Sequence, residues 1–345
     1  MPEIKHRTVR TNGINMHIAE ACPEPGRRAG EGPLVLLLHG FPELWYSWRH
    51  QLPALAAAGY HAVAPDLRGY GQTDAPPEIE AYDMQSLTGD VAGLLDALGA
   101  QQAVVAGHDW GSPIAWHCAL LYPDRFRAVA ALSVPFLPRG PLPPLQMMKR
   151  VFANNFFYIL YFQEPGVAEA ELEADVRRTM RTFLFTASGD APANIGLARK
   201  PKNAKFLDGM PEPKKPPHWL TEADLDYYTR EFQRTGFRGG LNRYRNMDRD
   251  WQQLPQLAGA HVQQPAIFIA GDRDAVLTFA RPDAMKDSVP HLKKTVMLPG
   301  VGHWTQQEAP EAVNRELIEF LDGLATSSES PQRTQKPQKT PKCSD

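Results

Sequence analysis

Cysteine is scarce in this chain of 345 residues, and long apolar runs are missing. The three cysteines, Cys22, Cys118 and Cys343, are far apart, so they match neither a disulfide framework nor a metal-binding motif. The N-terminus has no apolar stretch as long as a signal peptide, and the densest nearby run, Leu34 to Leu38, has only the length of a strand. These absences predict a cytoplasmic protein without a membrane span.

An excess of charge of one sign is also missing, because 37 basic residues stand against 39 acidic ones. A net charge of -2, with both signs mixed along the chain, does not favour nucleic acid as a partner. The chain has no Gly-x-Gly-x-x-Gly after a strand, no phosphate-binding loop and no His-Glu-x-x-His motif. We therefore expect no cofactor and no metal ion, and the expected partners are a small-molecule substrate and water. Nothing in the sequence predicts an oligomeric state.

The chain does contain a series of short apolar runs with helical patterns between them. Asn12-Gly13, between two short stretches with β character, predicts a hairpin. The predicted buried strands are Leu34–Leu38, His61–Ala64, Ala103–Ala106, Val129–Val134, Ala266–Ala270 and Thr295–Leu298. The predicted helices between and after them are Trp45–Ala58, Met84–Leu98, Pro113–Leu121 and Ala309–Leu324. This alternation predicts a doubly wound, mostly parallel α/β sheet.

The alternation stops between about Pro135 and Trp251, where no clear buried strand occurs. Helical patterns at Met147–Phe162, Val167–Phe185 and Ala223–Thr235 predict a helical cap inserted into the sheet. We therefore expect a core formed by residues 1–135 and 252–325, and a cap formed by residues 136–251. Residues 326–345 are rich in Ser, Gln, Pro, Thr and Lys, a composition that predicts a disordered tail.

The strand at Ala103–Ala106 leads into Gly107-His108-Asp109-Trp110-Gly111, and a helix follows. Small residues two positions before and two after Asp109 allow the sharp turn of a nucleophile elbow, which exposes one side chain. Aspartate is also a favoured N-cap residue. Taken alone, the turn fits a catalytic and a capping aspartate equally well.

Two more polar residues follow predicted strands, and the order along the chain is nucleophile, acid, histidine. His303 lies in the Gly-rich loop after the last strand, and Asp274 lies in a loop after the preceding one. We choose Asp274 over Asp272 because it lies further into the loop and can reach the histidine. Asp272 is expected to cap the loop or to pair with Arg273. Three such residues at strand ends favour catalysis over a structural role.

The segment His39-Gly40-Phe41-Pro42 directly follows the first apolar strand. Lipases and esterases use a similar His-Gly turn to aim backbone N–H groups at an oxyanion. We predict that the N–H groups of Phe41 and Trp110 form such an oxyanion hole and that His39 is structural. The predicted substrate-binding residues are Phe41, Pro42, Trp110, Tyr161 and Trp304.

An aspartate at the elbow changes the reaction that the site can perform. A serine that attacked an epoxide would leave an ether, whereas a carboxylate leaves an ester that water can hydrolyse. Asp109 needs no base for its attack, so His303 is free to activate that water while Asp274 stabilises the imidazolium. A phenol can donate to the alkoxide that forms on ring opening. The phenols of the cap are Tyr158, Tyr161, Tyr227, Tyr228 and Tyr244, and composition alone does not choose among them.

Over roughly residues 4–324 the chain resembles the soluble-type epoxide hydrolases of the α/β-hydrolase fold. The motifs that carry the resemblance are His39–Trp48, Pro65–Gly71, Gly107–Gly111, Tyr161–Gly166 and Gly302–Gln306. The resemblance implies Asp109 as nucleophile, with Asp274 as charge partner and His303 as base. It also implies that two cap tyrosines, Tyr158 and Tyr244, polarise the epoxide oxygen, with Tyr161 as the nearest competitor of Tyr158.

Three other functions are compatible with parts of this pattern. A haloalkane or haloacid dehalogenase also uses Asp, His and an acid, but it needs halide donors, whereas two cap tyrosines favour an epoxide oxygen. A non-catalytic ligand-binding protein has no need of an acid–base set. A serine esterase would depend on Ser112, which lies three residues past the elbow position. The particular epoxide and its enantiomer are not predicted by the sequence.

Overall fold

The computed structural model describes residues 2–23, 32–192 and 200–328. Eight strands form a single sheet with the order β1-β2-β4-β3-β5-β6-β7-β8. The strands are β1 (Lys5–Thr11), β2 (Ile14–Ala21), β3 (Leu34–Leu38), β4 (His61–Pro65), β5 (Ala103–His108), β6 (Phe126–Leu132), β7 (Ala266–Gly271) and β8 (Leu292–Leu298). β2 pairs antiparallel with β1 and β4, and every other pair is parallel. The predicted mostly parallel α/β sheet is confirmed.

The first hairpin forms as its sequence predicts. Thr11 and Ile14 are paired, so Asn12 and Gly13 form a two-residue turn between β1 and β2. Their φ angles are 43° and 82°, and this left-handed backbone at both positions is what a type I′ turn requires. The Asn12 side chain also donates to the Asp90 carboxylate at 2.9 Å, which ties the hairpin to the rest of the core.

The helices that the structure describes lie between and after these strands. They are α1 (Gln51–Ala57), α2 (Met84–Ala97), α3 (Gly111–Leu121), α4 (Pro144–Val151), α5 (Tyr158–Tyr161), α6 (Val167–Leu172), α7 (Val176–Thr186), α8 (Glu222–Thr235), α9 (Arg238–Arg245), α10 (Met247–Gln253), α11 (Met285–Ser288), α12 (Thr305–Glu308) and α13 (Pro310–Ser328). The helix predicted at Trp45–Ala58 is wrong at its start, where Trp45–Trp48 form a separate 3-10 helix before α1.

Alternate residues of the central strands point to opposite faces of the sheet, so the core has two layers. In β3, Leu36 and Leu38 pack into the layer that includes α2, α3 and the cap helices. Val35 and Leu37 pack into the opposite layer, which includes α1 and α13. The edge strand β8 is different, because its first half contains exposed lysines. The prediction of a strand at Thr295–Leu298 found only its second half, and the expected burial is wrong, because Leu298 alone of these residues is buried and Met297 is 43% exposed at the edge of the sheet.

The helices of the predicted cap, α4 to α10, all lie in the long connection between β6 and β7. The helix predicted at Met147–Phe162 is interrupted: α4 ends at Val151 and α5 begins at Tyr158. Between them, the rings of Phe152 and Phe157 stack with centroids 3.9 Å apart, which folds the chain back on itself. The helix predicted at Val167–Phe185 is also two helices, because the Asp175 side chain caps the start of α7.

The last helix, α13, continues to Ser328, so the first three residues of the predicted tail are helical. Residues 329–345, which make up the rest of that prediction, lie outside the described residues. Within the described ranges, no helix is both long and apolar enough to cross a bilayer.

Candidate active site

Asp109 lies at the tip of the turn between β5 and α3, with a φ of 49° that residues with a Cβ seldom adopt. A Cβ on Gly107 would lie 2.0 Å from the carbonyl oxygen of Gly111. A Cβ on Gly111 would lie 2.0 Å from the carbonyl oxygen of Leu38. The turn can therefore be this tight only with glycine at both positions, two before and two after the aspartate.

The Asp109 carboxylate contacts two different elements. The backbone N–H of Phe41 donates to Oδ1 at 2.8 Å, and Nε2 of His303 lies 3.4 Å from Oδ2. Burial alone would raise the pKa of Asp109, but the hydrogen bond and the charge of His303 hold that pKa below its usual value. Asp109 is therefore an anion, which is the form of a carboxylate that attacks carbon.

His303 lies in the loop between β8 and α12, and its ring is placed between two carboxylates. Its Nδ1 is 3.2 Å from Oδ1 and 3.3 Å from Oδ2 of Asp274, which follows β7. Burial favours the neutral imidazole, but the charges of Asp274 and Asp109 outweigh it and raise the pKa of His303 well above its usual value. The resting site thus contains an imidazolium between two carboxylates.

The structure brings together the three residues that sequence reasoning selected as nucleophile, acid and base. All of them follow parallel strands, so they lie at the same edge of the sheet. Asp272, the rejected candidate, accepts the backbone N–H of Gly300 at 2.8 Å and so caps a turn, as expected. The choice of Asp274 agrees with this geometry.

Ser133, which directly follows β6, is a residue of the site that sequence reasoning missed. Its hydroxyl donates to Oδ2 of Asp274 at 2.5 Å, and its Oγ lies 2.9 Å from Nδ1 of His303. Strand order provides a signal that could have identified it. Because β6 lies between β5 and β7, the residue after β6 must lie between Asp109 and Asp274.

Sequence reasoning also missed the pair His108 and Glu43, which is fully buried, with the His108 ring packed against that of His303. Nδ1 of His108 is 2.6 Å from Oε2 of Glu43, and Nε2 is 2.7 Å from the carbonyl oxygen of His303. Glu43 accepts three further hydrogen bonds, from the Gly40 N–H and the side-chain amides of Gln306 and Gln307. This network connects the turn that contains Phe41 with the loop that contains His303.

The two cap tyrosines implied by the family resemblance lie side by side. The rings of Tyr158 and Tyr244 meet edge to face with centroids 6.0 Å apart, and Tyr244 also packs edge to face on Trp110 and Phe41. Burial, and then the negative charge of Asp109, raise the pKa of both phenols. Both phenols are therefore neutral O–H donors, and both lie close enough to Asp109 for its charge to raise their pKa.

Tyr161 is not brought to this cluster. Its hydroxyl donates to Oε2 of Glu171 at 2.7 Å, within the cap. Glu171 also accepts the N–H groups of Phe206 and Leu207, so this contact organises the cap interior. The hydrogen bond of Tyr161 argues against the substrate contact that we predicted for it.

Two other predicted binding residues, Trp304 and Pro42, lie next to residues of the site. Trp304 is fully buried, its indole N–H donates to the carbonyl oxygen of Leu184 at 2.7 Å, and its ring packs 4.7 Å from that of His303. Trp304 therefore packs against His303 and connects it to α7 through this hydrogen bond.

Pro42 is buried and joined to Phe41 by a cis peptide bond. His39 is structural, as expected, because its Nε2 accepts the N–H of Leu67 at 3.0 Å.

An apolar cavity of about 330 Å³ adjoins the site at Trp110. Its wall includes Trp116, Phe136, Met148 and Trp251, but neither Asp109 nor His303. Trp110, whose ring packs on that of Tyr244, is the predicted binding residue that lines this cavity. Among the described residues, no three His, Cys, Asp or Glu side chains are grouped so that they could hold a metal ion.

Known proteins resemble this chain over nearly its whole length. The family model described as alpha/beta hydrolase fold matches residues 33–310. Epoxide hydrolase A of Mycobacterium tuberculosis is 51% identical over 320 residues, which cover 92% of this chain and 97% of the relative. Epoxide hydrolase A from Mycobacterium thermoresistibile has a crystal structure that matches with a TM-score of 0.88 at 51% identity, covering 93% of this chain and 99% of its own. An epoxide hydrolase from an endophytic Streptomyces matches with a TM-score of 0.88 at 47% identity, covering 94% and 96%. This chain therefore belongs to the epoxide hydrolases of the α/β-hydrolase fold.

Proposed function

We propose that this chain converts epoxides to vicinal diols in two steps, through an ester on Asp109. The observation that carries the proposal is a buried, anionic carboxylate at the tip of the elbow, 3.4 Å from the His303 ring. Two neutral phenols within the electrostatic reach of this carboxylate supply the donors that an opening epoxide needs.

In the first step, a carboxylate oxygen of Asp109 forms a bond to an epoxide carbon, and the bond from that carbon to the ring oxygen breaks. The Phe41 N–H occupies Oδ1, so Oδ2 is the attacking atom. The electron pair of the broken bond goes to the ring oxygen, which accepts hydrogen bonds from Tyr158 and Tyr244. This oxygen then takes up a proton, and the His303 imidazolium releases its Nε2 proton to the surrounding water, so the proton count is unchanged and His303 is neutral when the second step begins.

In the second step, the ester has removed the charge of Asp109, which had helped to raise the pKa of His303. The ring can then act as a base: water gives a proton to Nε2 and attacks the ester carbonyl carbon. The N–H groups of Phe41 and Trp110 stabilise the oxyanion, and Asp274 stabilises the imidazolium. When the bond between the carbonyl carbon and the attached oxygen breaks, that oxygen takes the proton from His303 and the diol is released. The carboxylic acid left on Asp109 then gives its proton to His303, which restores the resting carboxylate and imidazolium.

The rings of Phe41 and Trp110, which pack on Tyr244, support an epoxide with an apolar substituent as the substrate. The reaction needs only water as its second reactant. We also propose that the protein acts in the cytoplasm. This is supported by Cys22 and Cys118, which are free thiols, the form that a reducing compartment maintains.

The decisive test is to trap the ester. A His303→Gln variant incubated with styrene oxide should gain the mass of the substrate on the peptide that contains Asp109, as measured by mass spectrometry. An Asp109→Asn and His303→Gln double variant is the control and should gain none. The proposal would be wrong if the wild-type protein released halide from a chloroalkane without forming diol from the epoxide, or bound epoxides without converting them.

A further inference from the structure

We infer that Ser133 is a positioning residue that holds Asp274 and His303 in the geometry needed to hydrolyse the Asp109 ester. This inference rests on the proposed function, and it assigns a role in the second step to a residue outside the nucleophile–acid–histidine set.

The hydroxyl of Ser133 bridges the acid and the base. Its Oγ is 2.9 Å from Nδ1 of His303, whereas the two Asp274 oxygens are 3.2 and 3.3 Å from the same nitrogen. The same hydroxyl donates to Oδ2 of Asp274 at 2.5 Å. The imidazole N–H therefore meets the serine oxygen more closely than it meets either carboxylate oxygen.

The contact also determines how the Asp274 carboxylate is oriented. Oδ1 accepts the backbone N–H of Val276 at 3.0 Å, and Oδ2 accepts the hydroxyl of Ser133. Besides His303, each oxygen of the buried Asp274 carboxylate therefore has one hydrogen-bond donor that holds it in place. Without the hydroxyl, Oδ2 loses its donor, and the carboxylate can rotate about its bond to Cβ.

The backbone at Ser133 provides a second, independent observation. Its φ is 70°, in the left-handed region that costs free energy for a residue with a Cβ. Its N–H donates to the carbonyl oxygen of Ile269 in β7 at 3.0 Å, so this conformation is held by the sheet. Glycine would adopt the same conformation without cost, yet the position carries a side chain whose hydroxyl contacts the acid and the base.

The two steps of the proposed reaction depend to different extents on the contact of the Ser133 hydroxyl with Asp274 and His303. Ester formation uses the Asp109 carboxylate and the cap phenols and needs no base, whereas hydrolysis needs a well-oriented His303. Loss of the hydroxyl should therefore slow hydrolysis selectively. In a two-step reaction, slower hydrolysis lowers kcat and KM together and lets the ester accumulate.

The test is to measure Ser133→Ala with styrene oxide by steady-state kinetics and by mass spectrometry of the quenched enzyme. We expect kcat to fall about 10- to 100-fold, which is the effect of one hydrogen bond to a charged group. KM should fall in parallel, with kcat/KM within about threefold of wild type, and the ester on Asp109 should become the main enzyme form at saturation.

Two further variants distinguish the effect of the Ser133 hydroxyl on kcat from the effect of its left-handed backbone. Ser133→Gly relieves the left-handed strain but lacks the hydroxyl, so it should behave like Ser133→Ala. Ser133→Cys keeps a weaker donor of similar size and should lie between alanine and serine in kcat.

Three outcomes would overturn the inference. A wild-type kcat for Ser133→Ala without ester accumulation would exclude the role of Ser133 and leave the proposed function intact. An equal loss of kcat and kcat/KM would point to a merely structural role. Absence of an ester in the His303→Gln variant would instead refute the proposed function, and the role of Ser133 with it.

Discussion

The charge of Asp109 acts on three other polar groups of the site, His303, Tyr158 and Tyr244. It raises the pKa of His303 and, together with burial, the pKa of Tyr158 and Tyr244. Both phenols therefore keep their protons in the resting protein. In the proposed reaction, esterification removes the charge of Asp109, so one bond-forming event changes the acid–base properties of the neighbouring residues.

The cap tyrosines can be tested by removing one oxygen atom at a time. Tyr158→Phe and Tyr244→Phe should each lower the rate of ester formation about 10- to 1000-fold, since each removes a donor to the developing alkoxide. The double variant should lose more than either single variant. Tyr161→Phe is the matched control, because its hydroxyl bonds Glu171, and its rate should stay close to that of wild type. Single-turnover measurements would decide, and equal losses for Tyr158 and Tyr161 would contradict this assignment.

Sequence reasoning found the residues of the site that follow a recognisable strand or turn. Asp109, Asp274 and His303 each come after an apolar run that predicts a buried strand. Ser133 also follows such a run, but the predicted strand Val129–Val134 continued through it, whereas β6 ends at Leu132. Because the predicted strand ran past its true end, Ser133 was counted as a strand residue, and its contacts with Asp274 and His303 were not predicted.

Glu43 and His108 were missed for another reason. Both lie inside the motifs that carry the family resemblance, Glu43 two residues after Phe41 and His108 next to Asp109, but their partners are distant in the chain. Glu43 bonds the side chains of Gln306 and Gln307, more than 260 residues away. Contacts of this kind depend on how loops pack at the sheet edge, and no local pattern contains that information.

At the scale of secondary structure, the elbow between β5 and α3 is the most tightly constrained element. Gly107→Ala and Gly111→Ala each place a Cβ 2.0 Å from a backbone oxygen that cannot move without displacing a strand or the turn. We expect each to lower the midpoint of thermal unfolding by at least about 5 °C, the effect of a few kcal/mol in a domain of this size.

A matched control for the elbow variants is Gly140→Ala, in the connection that leads into the cap. The atom nearest to its added Cβ is the carbonyl oxygen of Leu142 at 4.0 Å, an ordinary contact. Its melting temperature should be unchanged within about 2 °C. If Gly111→Ala melted no earlier than this control, the elbow would be less tight than the structure indicates.

The core elements were predicted better than those of the cap, and there is a physical reason. A strand buried on both faces must be apolar throughout, so its sequence pattern is unambiguous. Cap helices are short and aromatic, and their ends depend on contacts such as the stack of Phe152 on Phe157. A helical pattern continues through such a break, and only the packed structure shows where the chain turns.

For the molecule as a whole, the junction of cap and core contains a buried acid, Asp250. It lies in α10, and its Oδ1 accepts the backbone N–H of Met84 at the start of α2 at 2.7 Å. Burial, and then the charge of Asp83, raise the pKa of Asp250 to about 7, although the Met84 N–H and the charge of Arg249 act in the opposite direction. Asp250 is thus protonated in the folded protein at mildly acidic pH.

This raised pKa determines how the stability of the junction depends on pH. Below the unfolded value of 3.8, Asp250 is protonated in both states and costs nothing. Between that value and about 7 only the unfolded chain releases the proton, so stability falls as pH rises, by roughly 1–4 kcal/mol in total.

Asp250→Asn keeps an oxygen acceptor for the Met84 N–H and removes the ionisation. The difference in melting temperature between this variant and wild type should therefore grow in favour of the variant from pH 4 to pH 7. Above about pH 7 this difference in melting temperature should stay constant. Differential scanning calorimetry at several pH values measures this difference directly, and a constant difference across the range would refute the raised pKa.

The position of the cap in the chain also has a consequence for how the protein is made. β6 and β7 are neighbours in the sheet, yet β6 ends at Leu132 and β7 begins at Ala266, with the whole cap between them. During synthesis, strands β1 to β6 leave the ribosome well before β7, the strand that pairs with β6. Throughout that interval the nascent chain presents the bare edge of β6, with unpaired N–H and C=O groups that other chains can bind. A ribosome that stalls within the cap would therefore release a fragment prone to aggregate, which lacks both Asp274 and His303.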